Sequence, residues 1–288
     1  MKNGLEVGGR FVGNVCLGIA LAAAGLGLGG CKVGSSGGSG GTGGGGGTSD
    51  PNHVYATGNW QIQATPTKGV APFTSLGGFI NEQGTDPGIN DLTTGAFQAQ
   101  STSCYVNTPT VPLQGAVLAY QLGLRSFAVD GQFLTISAAE DATVTHMTGT
   151  YSITGGCADG ATGNLAGTKY AALSGTYKGS VTAGTTPETM QLVLSQFQQG
   201  TGDGVFLVSG NASFTGFSCF NQASLASADG GIAGSAVNLS FVTNDPTSAR
   251  LLLTGTITSD AKTFNVSSAM VTGGNCAGSI GTAVLTQQ

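Results

Sequence analysis

Six cysteines, two histidines and fourteen carboxylates carry the reactive chemistry of this 288-residue chain, and their spacing decides what they can do. Cys104, Cys157, Cys219 and Cys276 stand far apart, without the paired Cys-x-x-Cys spacing that a four-thiolate metal site uses. They read as disulfide partners, and no metal or cofactor is expected. His146 lies in Thr143-Val-Thr-His-Met-Thr148, where alternation gives it a face shared with Val144, Thr148 and Thr150, a solvated strand position. His53 is the other histidine. A hydrolytic triad needs a buried, oriented imidazole, and neither context supplies one. Glu140 and Asp141 are adjacent, so a strand points them to opposite faces and a turn exposes both. Neither arrangement makes the facing pair of a glycosidase.

Other matches to catalytic patterns fail on context. Gly37-Gly-Ser39-Gly-Gly41 has the form of a nucleophile elbow, yet it sits in a glycine run instead of a strand-to-helix turn. Ser259-Asp-Ala-Lys262 has the form Ser-x-x-Lys but joins two expected strands, which makes it a hairpin turn. Asp86-Pro-Gly-Ile-Asn-Asp91 offers oxygen atoms without the regular spacing of an EF-hand loop, and reads as a polar loop. Phe214, Phe217 and Phe220 are the most suggestive ligand-facing group, since aromatics near a strand end can stack on sugars or line a barrel mouth. Phe220 also has Tyr105 as its counterpart after a cysteine, which favours packing against the bridges.

The elements that must position these residues are strands. Only 8% of the chain is charged, against roughly 25% in an ordinary soluble domain, and 51 residues are glycine. Thr and Val suit a pleated surface, and long helical periodicity is absent. Alternating runs such as Trp60–Ala64, Phe133–Ile136, Met190–Leu194, Val205–Val208, Leu251–Ile257 and Phe264–Val266 predict about twelve to fourteen strands. Asp130-Gly131, Asp203-Gly204 and Asp229-Gly230 predict turns with positive backbone angles. The fold class is all-β, an antiparallel barrel or sandwich.

An internal repeat organises these runs. Ser103-Cys104-Tyr105 matches Ser218-Cys219-Phe220, Thr154-Gly-Gly-Cys157 matches Thr272-Gly-Gly-Asn-Cys276, and Gly58-Asn-Trp60 matches Gly175-Thr-Tyr177. The halves run over 58–172 and 173–288 with some six strands each, closing either into one barrel or into two packed β domains. Equivalent cysteines make one bridge per half the economical pairing, Cys104 with Cys157 and Cys219 with Cys276. The net charge of -5 and only nine Lys and Arg exclude a nucleic-acid footprint.

The N-terminal segment is of another kind. Lys2 and Arg10 make a basic start, diluted by Glu6, and Phe11 to Leu28 is apolar apart from Asn14, as in a signal peptide. Its four glycines and small-residue exit fit cleavage over a membrane span. Leu28-Gly29-Gly30-Cys31 resembles the lipobox of bacterial lipoproteins. The resemblance, confined to residues 1 to 33, implies a signal peptide over 1–30, lipidation of Cys31 and cleavage before it. Lys32, standing where Asp would retain a lipoprotein at the inner membrane, implies export to the outer membrane. Residues 31–57 then form the lipidated Cys and tether, whose Gly/Ser/Thr core, 34–50, spans about 20 to 25 Å as a coil. The expected function is a lipid-anchored, non-catalytic binding or structural module of the cell envelope, meeting a glycan or protein. The alternatives are a carrier of a small apolar ligand in a barrel interior and an enzyme of unrecognised type.

Overall fold

The computed structural model describes residues 55–83, 91–101, 104–183, 186–247, 249–274 and 276–288. Cys16, Cys31, His53, the glycine tether, the Gly37–Gly41 match and residues 86–90 of the Asp86–Asp91 stretch lie outside them. The regular structure of the described residues is strand, with single-turn 3₁₀ segments at Gly156–Ala158 and Ser227–Asp229.

The first half is an up-and-down barrel of eight strands: β1 (Gly58–Lys68), β2 (Phe73–Gln83), β3 (Asp91–Ser101), β4 (Thr110–Leu118), β5 (Gln121–Ser126), β6 (Phe133–Glu140), β7 (His146–Thr154) and β8 (Thr162–Tyr170). Each pairs antiparallel with the next, and β8 returns to β1 along a ladder from Asn59–Tyr170 to Lys68–Thr162. Period-two alternation builds the wall: Leu134, Ile136 and Ala138 of β6 face inward, while Thr135, Ser137 and Ala139 face out. Trp60, Ile62, Phe73, Leu76 and Phe97 fill the interior, and burial of each such side chain contributes about 1.5 to 3 kcal/mol.

The second half repeats the plan with β9 (Gly175–Ala183), β10 (Thr186–Gly200), β11 (Phe206–Thr215), β12 (Gln222–Leu225), β13 (Gly230–Ala233), β14 (Ala236–Thr243), β15 (Arg250–Ile257), β16 (Thr263–Thr272) and β17 (Gly278–Gln287). The short β12 and β13 share one position between β11 and β14, so this barrel also has eight positions. Pairing of β10 with β11 and of β17 with β9 closes it around Tyr177, Leu192, Phe241, Leu253 and Phe264. Apolar inside and polar outside is the reverse of a membrane-spanning barrel.

The barrels meet through the outer wall of β1–β3 and the loops at one end of the second barrel. Asn59 donates to the Gly234 carbonyl and accepts from the Gly234 amide, both at 2.7 Å, and Gln61 accepts from the Ser235 amide at 3.0 Å. This explains why Asn59 and Gln61, outward by alternation, are buried. Gly77 fits against the Ala233 carbonyl, where a Cβ would come within 2.5 Å. Phe79 meets Phe206 edge to face at 6.1 Å.

Several expectations are corrected here. Two barrels form, with seventeen strands among the described residues and eight positions per half instead of about six. Asp130-Gly131 and Gly204 take positive φ as expected, but Gly230 is extended at φ -134, because Ser227–Asp229 already turns the chain. Val144 is not on the His146 face. It sits in the β6–β7 turn at φ 50 with its side chain buried, and β7 begins at His146.

Candidate functional site

The four cysteines pair within halves. Cys104–Cys157 ties the β3–β4 loop to the β7–β8 loop, and Cys219–Cys276 ties the equivalent β11–β12 and β16–β17 loops, with Cα separations of 5.6 and 6.0 Å. A two-glycine turn precedes the second cysteine of each bridge. Gly155 and Gly156 have φ of 79 and 63, Gly273 and Gly274 of 75 and 71, backbone that an L side chain adopts only with strain. Phe214, Phe217 and Phe220 form a cluster beside the second bridge, with centroids 4.7 to 5.9 Å apart. Phe214 and Phe220 are buried in the core, and Phe217 packs against it half-buried.

His146 is exposed at the mouth of the β6–β7 turn, 3.2 Å from Asp141. The Thr145 amide, the Thr143 hydroxyl and His146 together hold the Asp141 carboxyl well below the usual carboxylate range. Glu140, one residue earlier, points the other way and is buried. Ser259–Lys262 is a hairpin turn, its Asp260 accepting from the Lys262 amide at 3.0 Å.

Tertiary packing assembles a charged layer that linear spacing conceals. Glu82, Glu140 and Lys169 occupy inward positions at the last turn of β2, β6 and β8, closing one end of the first barrel. Glu82 accepts from the Ala56 amide at 2.7 Å, and Lys169 donates to the Tyr55 carbonyl at 2.8 Å. Burial lowers the Lys169 pKa, while the charges of Glu140 and Glu82 oppose that shift. The parity of inward positions, Ile80 to Glu82 and Ala138 to Glu140, was the available signal. Residues 55–57 cap the layer, and the bonds of Glu82 and Lys169 go to this chain as it enters the barrel.

An uncharged surface lies on the outer wall of the second barrel. Val193, Asn211, Ser224 and Val242 make one cross-strand row over β10, β11, β12 and β14. Gln191, Ser213, Gln222 and Asn244 make the row beside it. At about 4.8 Å between strands, each row is about 14 Å long. Together they line a depression of about 400 Å³. Asn244 is fixed, accepting from the Asn221 and Gln222 amides at 3.3 Å and donating to the Asn221 side chain at 2.7 Å. The carboxamides donate and accept, the serines do the same, and none of the eight side chains ionises. Such a surface can hold a neutral polar ligand but cannot move a proton near pH 7. Sequence reasoning missed it, because an outward Asn or Ser on a strand looks like any solvated position.

Among the described residues no group of three His, Cys, Asp or Glu is placed to hold a metal ion. No protein-family model, no curated protein and no solved structure matches the chain.

Proposed function

We propose that the protein is a lipid-anchored, non-catalytic binding module of the bacterial cell envelope, held through Cys31 and presenting two fused barrels beyond a glycine tether. The observation that carries this reading is the use of polar chemistry in the fold. Glu82 and Lys169 at the first barrel's end bond to the entering chain, and depressions on the outer walls are lined mainly by amides, hydroxyls and small side chains. Two disulfides accord with an oxidising compartment. Side chains fill both barrel interiors, which favours the outer walls over an internal carrier site.

The test is made on the full-length protein expressed in a diderm bacterium. Wild type should incorporate labelled fatty acid and fractionate with outer membrane, and Cys31→Ser should lose both. The purified protein should show no turnover on ester, peptide and glycoside panels. Normal fatty-acid labelling of Cys31→Ser overturns the anchor, and turnover abolished by Glu140→Gln overturns the non-catalytic assignment.

A further inference from the structure

The two cross-strand rows on the second barrel have a counterpart in the first. Equivalent register places Gly77 and Phe79 of β2, with Ala96 and Gln98 of β3, where Gln191 and Val193 of β10 and Asn211 and Ser213 of β11 stand. In the first barrel this wall is covered. Gly77 abuts Ala233, Phe79 packs on Phe206, the Ala96 carbonyl approaches Gly204, and Gln98 donates to the Asp203 carbonyl. In the second barrel Gly77, Phe79, Ala96 and Gln98 are replaced by Gln191, Val193, Asn211 and Ser213, and the wall is open.

Three observations choose the occupant. The wall's backbone groups are engaged in the ladders of a closed barrel, so a peptide cannot add as a strand. A second copy cannot repeat the internal docking. The hairpin that docks is Gly234-Ser235, which fits because Gly77 has no side chain, its Cβ position lying 2.5 Å from the Ala233 carbonyl; the open wall carries Gln191 at that place, and the first barrel's equivalent hairpin is Ala119-Tyr120. The lining carries no charge, and the flanking cations are one at each end, Lys178 across from Gln191 and Arg250, paired with Asp229, across from Val242, so no cationic track runs along the rows for an anionic polymer. What remains is a ligand whose groups each donate and accept, on a scale of about 14 Å.

We infer that these rows are a binding subsite for a neutral polysaccharide, with Asn211 and Gln222 exchanging paired hydrogen bonds with sugar hydroxyls, Asn244 donating its remaining Nδ2–H, and Val193 and Val242 contacting the apolar ring faces. The inference rests on the binding-module reading and names its ligand class. Asn244 is pre-ordered by its bonds to Asn221 and Gln222, which reduces the ordering cost of binding.

The experiment is affinity electrophoresis of the full-length lipidated protein in detergent, through gels cast with dextran, mannan or soluble starch and, separately, alginate. Retardation is expected in at least one neutral gel and not in alginate. Asn211→Ala/Gln222→Ala should weaken that retardation at least tenfold, while Thr135→Ala/Asn164→Ala on the first barrel's wall leaves it unchanged. Asn244→Asp, which adds charge without removing volume, should also weaken it and guards against a folding defect in the double variant. Absence of retardation in every neutral gel overturns the inference, as does preference for alginate or equal retardation of the row variants. Self-association or protein capture that depends on Asn211 and Gln222 also overturns it. Labelling and turnover are measured separately, so loss of the subsite is distinguishable from loss of the anchored-module reading.

Discussion

The two barrels close the same end of the same architecture with different chemistry. In the first, Glu82 accepts from the Ala56 amide while the Thr57 hydroxyl receives the Glu82 amide. In the second, Gln196 accepts from the Leu173 amide while the Ser174 hydroxyl receives the Gln196 amide. Lys169 and Gln287 both lie against the glycine that opens the first strand of their barrel. Glu140 and Ile257 hold equivalent places, each donating its amide to the carbonyl of a hairpin residue, Tyr120 or Ser235. One geometry is thus served by an ionisable set and by a neutral one. The hydrogen-bond pattern is what the fold requires, and charge is an addition peculiar to the barrel that receives the N-terminal chain.

Four measurements test how far the two halves are alike, and the lone tryptophan, Trp60, reports on the first barrel. The largest effect is expected from the bridges. Their loops of 53 and 57 residues are nearly equal, so chain entropy assigns each about 4 kcal/mol. Cys104→Ala/Cys157→Ala and Cys219→Ala/Cys276→Ala should lower the denaturant midpoint similarly, and a strong inequality would mean that the halves are not energetically alike.

Next is Lys169→Met, which strands two buried carboxylates and should cost about 3 kcal/mol. Gln287→Met removes a neutral bond and should cost about 1 kcal/mol or less. Equal costs, read by urea unfolding, would erase the distinction between the two ends.

The third contrast is Tyr105 against Phe220. Burial, aided by Asp130, pushes the Tyr105 phenol up to about 12, so the folded chain keeps a proton that the unfolded chain releases above pH 10. Its stabilisation, about 2 to 3 kcal/mol, is present below pH 10 and lost as pH rises through 12. Lys169, whose pKa is lowered, works in the opposite direction just below 10.5. Comparing Tyr105→Phe with wild type at pH 8.5 and 11.5 leaves Lys169 common to both. The variant should lose less stability on alkalinisation, and an identical loss would assign the alkaline transition elsewhere.

The smallest effect is expected from moving the neutral end into the first barrel. Glu82→Gln/Glu140→Ile/Lys169→Gln should stay within about 1 kcal/mol of wild type, since an intact buried ion set is often no better than neutral groups of similar volume. Strong destabilisation would show that the charges are required there.

The halves, their bridges and the strong strands were legible because Cys, Trp/Tyr and Thr-Gly-Gly recur at a near-constant interval. The remaining strands were not, because β3, β8 and much of β17 are Thr, Gly, Ala and Gln, and carry little apolar contrast. Their pairing is imposed by neighbours and by barrel closure. The charged end was hidden because Glu82, Glu140 and Lys169 come from three separate strands. The neutral rows were hidden by ordinariness, since Asn211 becomes distinctive only when Ser224 and Val193 are placed beside it. Phe214, Phe217 and Phe220 stood out in sequence for the opposite reason, and their conspicuous spacing serves mainly the core.

Barrel closure has a further consequence for crowding. A chain with 8% charged residues has little electrostatic repulsion to keep its copies apart, and anchoring would concentrate those copies in two dimensions. Open sheets under such conditions zip together along unpaired strand edges into fibrils. Here β1 meets β8, β17 meets β9 and β10 meets β11, so among the described residues neither barrel ends in an open first or last strand. Resistance to aggregation is therefore topological, and it leaves the outer walls free to be neutral.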